Sequence, residues 1–112
     1  MAYDTDLADR IRELVAAEHG VDERRMFGGL AFLINGNLSV AAGNKGGLLV
    51  RVPPPESDAL AGDDRVTPMV LAGRPRRGWL HVAATADDDD WVGQWVARGV
   101  AFARTLPAKG GR

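Results

Sequence analysis

Residues 24–52 read Arg-Arg-Met-Phe-Gly-Gly-Leu-Ala-Phe-Leu-Ile-Asn-Gly-Asn-Leu-Ser-Val-Ala-Ala-Gly-Asn-Lys-Gly-Gly-Leu-Leu-Val-Arg-Val, and the fold turns on this stretch. Three short apolar runs, 30–34, 38–42 and 48–52, are separated by two glycine-containing turns. Asn35-Gly36 lies in the first turn, and Asn-Gly between apolar runs is the strongest short-range hairpin signal. Gly43-Asn44-Lys45-Gly46-Gly47 turns the chain a second time. The stretch predicts a three-stranded antiparallel meander.

The first hairpin has two registers to choose from. A two-residue loop sets Leu33 opposite Leu38 and Phe32 opposite Ser39, which mixes apolar and polar residues on both faces. A three-residue loop, a type I turn with Gly36 left-handed, sets Phe32 opposite Leu38 and Leu30 opposite Val40. One face then carries Leu30, Phe32, Leu38, Val40 and Ala42, and the other Ala31, Leu33, Asn37, Ser39 and Ala41. A one-residue slip exchanges the two faces, so the three-residue loop, which keeps one face apolar, is expected.

Upstream, residues 5–19 place Leu7, Ile11, Leu14 and Val15 on one helical face with Glu18 at its edge. Asp4 or Thr5 caps this helix and Gly20 ends it. Residues 21–25 read as a link. Gly28-Gly29 after Met26 and Phe27 implies close backbone packing or positive φ. A glycine-rich phosphate cradle needs a following helix, and here a strand follows.

Downstream, Pro53-Pro54-Pro55 stops the third strand, because proline cannot donate to a ladder. Residues 56–61 read as a short helix, 66–71 as a fourth strand and 72–78 as a turn holding Arg74, Arg76 and Arg77. Residues 79–83 alternate as a fifth strand, with Leu80 and Val82 on one face and Trp79 and His81 on the other. Asp87-Asp88-Asp89-Asp90 lacks the spacing of a calcium loop and instead suits the start of a helix over 91–106. Val92, Trp95, Val96, Gly99, Phe102, Ala103 and Leu106 form that helix's apolar stripe. The expected architecture is α+β: two layers, with a five-stranded antiparallel sheet and helices in the order α-β-β-β-α-β-β-α. Residues 1–106 make a single domain, and 107–112 a flexible tail.

The 112 residues suit one core, and 14 basic against 15 acidic side chains give a net charge of −1. That balance argues against nucleic-acid binding by bulk electrostatics. The absence of cysteine removes disulfides and thiolate chemistry and suits a cytoplasmic chain. Early aspartates, Asp4, Asp6 and Asp9, argue against a signal peptide, and no apolar run approaches a membrane span.

Nothing in the sequence places His19 or His81 beside a serine nucleophile or a metal partner, and Ser39 and Ser57 lie outside any nucleophile elbow. No catalytic residue, cofactor or metal is expected. The candidate interaction surface is Arg74, Arg76, Arg77, Trp79 and His81, with Leu33. Arginines beside an exposed aromatic also suit nucleic acid as an alternative partner. A third reading is a small-ligand pocket near Trp79, His81 or Met26.

The run Arg25-Met26-Phe27-Gly28-Gly29-Leu30-Ala31-Phe32-Leu33-Ile34-Asn35-Gly36 resembles the opening motif of the TfoX (Sxy) N-terminal domain family. Gly73-Arg74-Pro75-Arg76-Arg77-Gly78-Trp79-Leu80-His81-Val82 resembles its second block. The resemblance spans roughly residues 5–106. It implies a two-layer α+β fold similar to secretion chaperones, with Met26, Phe27, Gly28, Gly29, Asn35 and Gly36 as structural motif. It also implies a regulatory or protein-interaction role with no catalytic residue to carry over. Full-length bacterial competence regulators of the family carry a second, C-terminal domain, so a stand-alone domain is expected here.

Self-association is expected as well. If both long helices cover the Leu30, Phe32, Leu38 and Val40 face, then Leu33, Leu49 and Trp79 form an exposed patch on the other. A two-fold homodimer is the commonest way to bury such a patch.

Overall fold

The computed structural model describes residues 4–26, 28–43, 46–71 and 73–108, leaving aside the side chain of Leu71. Helix α1 spans Thr5–Leu14 and is capped by Asp4, whose carboxylate accepts from the Leu7 amide at 3.1 Å. Leu7, Ala8 and Ile11 bury one face of it. The helix stops at Leu14, short of the expected residue 19, and Val15–Gly20 unwind through turns. Gly20, at φ +74°, leads into strand β1, Val21–Met26, where the sequence suggested only a link.

Strand β1 makes the sheet six-stranded rather than five-stranded, still antiparallel throughout its pairings. Its four central residues, Asp22 to Arg25, are exposed and charged, so no apolar alternation announces it. Pairing with strand β2, Gly29–Ile34, creates it, with Glu23 opposite Phe32 and Arg25 opposite Leu30. Glu23 is also clamped from α1: Arg12 donates Nε and Nη2 to its two carboxylate oxygens at 2.6 and 2.8 Å.

This forked pair gives a pH prediction. Hydrogen bonding to Arg12 holds the Glu23 carboxyl below its ordinary value of 4.5. A lowered folded-state value contributes stability above the unfolded value and loses it as pH falls through the folded one. With the Glu23 side chain 36% exposed, the contribution at neutral pH is at most about 1 kcal/mol. Glu23→Gln should therefore lower the urea midpoint slightly at neutral pH, and the gap should close as pH falls below about 4.5. A gap that widens on acidification contradicts this reading.

Strand β3, Asn37–Ala42, follows β2 through Asn35-Gly36. The loop has two residues, not three: both have positive φ, +52° and +84°, and Ile34 faces Asn37. This is the primed turn that Asn-Gly favours. Leu33 accordingly faces Leu38, but the register then shifts and Phe32 faces Val40. Ser39 is the extra residue, and its hydroxyl donates to the Phe32 carbonyl at 2.7 Å. The bulge reconciles a two-residue loop with an apolar core face of Leu30, Phe32, Val40 and Ala42. Leu38, expected on that face, lies on the opposite one with Ala31, Leu33 and Ala41.

Strand β4, Leu48–Arg51, completes the meander. A 3₁₀ turn, Pro54–Glu56, and the one-turn helix α2, Ser57–Leu60, follow. Strand β5, Val66–Leu71, has the expected bounds. Strand β6 runs Arg74–Val82, so the arginines assigned to a turn lie in a strand. It inserts between β4 and β5, giving the order β1-β2-β3-β4-β6-β5.

Helix α3, Asp89–Thr105, starts two residues before the expected Trp91. Its N-cap is Asp88, whose carboxylate accepts from the Thr85 amide at 2.9 Å rather than from the helix. Asp89 and Asp90 supply negative charge to the first turn, where the helix dipole favours it. Helices α1 and α3 share one core with Phe32, Val40, Val50, Leu80 and Val82, forming a single helical layer on that face. Arg104 ties the end of α3 back to Glu18 and the His19 carbonyl, at 2.9 and 2.8 Å. Pro107, expected in a flexible tail, accepts from the Asn37 side-chain amide at 2.8 Å. Among the described residues no helix is long and apolar enough to cross a membrane.

Candidate functional site

The helices leave the second face of the sheet to cover itself. Ala31, Leu33, Leu38, Ala41 and Leu49 are all buried there, with Met26, Met69 and Trp79 packed against them. Met26 belongs to β1 and Met69 to β5, the two ends of the strand order. Both line one pocket of about 400 Å³, so the sheet curls until its edges approach.

Local irregularities produce this curl. The β5–β6 register shifts between Pro68 and Met69: Pro68 faces Leu80, but Met69 faces Arg76. Arg77, Gly78 and Trp79 are skipped by β5, and Gly78 takes φ +84°. At the other side of the pocket, Gly29 lies so close to the Ala42 carbonyl that a β-carbon would overlap it. Gly29, Gly43 and Gly46 present backbone alone to the cavity.

The remaining wall is apolar, from Leu49, Pro68 and Val70, except for His81. His81 faces Leu49 on one side and Thr67 on the other, which sets it on the curled face. Its Nε2 lies 3.0 Å from the Gly46 carbonyl. A carbonyl oxygen only accepts, so Nε2 carries the hydrogen, and in the neutral ring Nδ1 remains as acceptor.

The expected surface is not one patch. Register pairs Arg76 with Met69 and Arg74 with Leu71. Arg77 turns away and donates to the Pro54 carbonyl at 3.3 Å. Trp79 is half-buried, with the Arg51 guanidinium 5.1 Å from its ring centre, and Arg51 also lies 5.8 Å from the Phe102 ring. Leu33 is 4% exposed and Leu49 is 7%, which removes the apolar patch expected to drive dimerisation. The curl buries these residues without a second chain. Of the structural motif, Phe27 lies outside the described residues, Gly28 takes φ +74° and Asn35-Gly36 form the hairpin turn.

A second depression, about 340 Å³, lies between α1 and α3. Its titratable group, Glu18, is already engaged by Arg104. Among the described residues no cluster of three or more His, Asp or Glu is placed to hold a metal.

The sequence named Trp79, His81 and Met26 as candidate neighbours of a pocket, and the last two line it. It gave no sign of Met69, because nothing local says that β5 meets β1. Residues 13–103 match the family model described as TfoX N-terminal domain. No curated protein and no solved structure matches the chain.

Proposed function

Because the chain belongs to the TfoX N-terminal domain family, we infer that it is a regulatory domain that acts by contacting another protein. The match, residues 13–103, takes in all six strands and most of α3. The observation that supports contact is an exposed apolar residue on the edge strand β5. The sheet order leaves β1 and β5 at its ends. Strand β1 presents the charged run Asp22 to Arg25, the ordinary protection of an edge. Strand β5 carries Pro68, itself an edge protection, but beyond it presents Val70, 61% exposed and the one large exposed hydrophobic residue among those described. An edge of this kind accepts an extended segment of a partner as an added strand.

The test replaces Val70 with lysine, a residue that natural edges use against pairing. Partners captured with the tagged wild-type chain and reconstituted from purified components should bind at least tenfold more weakly to Val70→Lys. A reconstituted partner that binds both equally places the contact elsewhere. Turnover in an activity screen, with no partner recovered, removes the regulatory reading.

A further inference from the structure

We propose that the pocket between β1 and β5 binds a small planar aromatic molecule bearing one hydrogen-bond donor, of the phenol or indole type. This goes beyond the partner reading and does not rest on it.

Four features of the pocket select that chemistry. Its volume of about 400 Å³ falls within the range of small-molecule sites. Two thioethers, Met26 and Met69, reach it from opposite ends of the sheet. Methionine adapts its shape to a guest, and its sulfur makes favourable contacts with aromatic rings. Leu49, Pro68 and Val70 add apolar wall, which suits the apolar faces of a flat ring. His81 supplies the polar point. With Nε2–H already given to Gly46, the neutral imidazole offers an acceptor, which selects a ligand that donates.

The cavity is also built rather than incidental. Gly29 admits no side chain beside the Ala42 carbonyl, and Gly46 holds φ +84°, a conformation that disfavours other residues. A side chain at either position would strain the backbone that borders the pocket.

The test uses indole and 1-methylindole, which share a ring system but differ in the N–H donor. The chain is labelled at its methionine methyl groups and followed by nuclear magnetic resonance. Indole should shift the Met26 and Met69 methyl signals saturably, while the amide of Gly93, on the helical layer, stays in place. Met69→Trp, which fills the pocket with a side chain of the ligand's own kind, should weaken indole at least tenfold. His81→Phe keeps a flat ring but removes the acceptor. It should lower the preference for indole over 1-methylindole about fivefold, the factor of one ordinary hydrogen bond.

Absence of a saturable shift at both methionines on the unaltered chain overturns the proposal, whether or not the variants fold. So does undiminished binding to a folded Met69→Trp, or a preference untouched by His81→Phe. Methionine signals that move with protein concentration alone, and with neither probe, assign the pocket to a second copy of this chain and equally overturn it.

Discussion

Gly99→Val is expected to destabilise the domain by about 3 kcal/mol or more, the upper end of overpacking costs. Glycine inside a helix normally weakens it by about 1 kcal/mol against alanine, so propensity alone predicts a gain from replacement. Position 99 reverses that. Helix α3 lies against strand β3 so closely that a β-carbon there would overlap the Ser39 carbonyl oxygen, 3.1 Å from its carbon and 3.3 Å from a Val50 methyl. Ser39 cannot retreat, because it is the bulged residue whose hydroxyl holds the Phe32 carbonyl. The helix would have to lift, loosening Trp95, Val96 and Val100 from the sheet. Gly99→Ala meets the same obstacle with less bulk and should fall between wild type and valine. Urea denaturation of the three chains checks this, and an alanine variant more stable than wild type contradicts it.

The second large effect is at Phe32. It heads the fully buried side chains by volume and sits in the core beneath both α1 and α3. Phe32→Ala removes most of a buried aromatic and leaves a cavity, at about 3–5 kcal/mol. A domain of this size has roughly 5–15 kcal/mol in total, so the variant should be partly unfolded under mild denaturant. Leu33→Ala, one residue along, offers the comparison. Leu33 lies under the curled face among Ala31, Leu38, Ala41 and Leu49, without a helix above it. Its loss should be smaller, because the curl can close over the gap. Equal losses at the two positions would show that the second face is packed as rigidly as the first.

These sites show what was legible in the sequence. The meander was, because Asn35-Gly36 encodes its turn locally and the flanking runs are apolar. The bounds of β5 and the acidic start of α3 were legible for the same reason. The bulge at Ser39 was not, since two registers competed and the choice fell to a single hydroxyl bond formed only in the folded sheet. Strand β1 was hidden because Asp22, Glu23, Arg24 and Arg25 carry no apolar period; β2 and the Arg12 clamp supply the order. The arginines looked like one patch because they are close in sequence, but the strand register splits Arg77 from Arg74 and Arg76. The pocket was half legible. Its glycines stood out as turns, but the meeting of Met26 with Met69 depends on curvature, which accumulates across six strands and is written in no single one.

The strand order also bears on how the chain reaches this state. Along β1-β2-β3-β4, every neighbour in space is the next strand in sequence, and β5 and β6 form a hairpin of their own. Short loops close early and at low entropic cost, so the sheet can zip outward from Asn35-Gly36. Helices α1 and α3, which come from opposite ends of the chain, can meet only after that. The contact of Gly99 with the bulge therefore belongs to the last stage of assembly. Losing it should leave the refolding rate nearly unchanged and appear almost wholly as faster unfolding. A Gly99→Val chain that refolded slowly instead would move helix docking to the start.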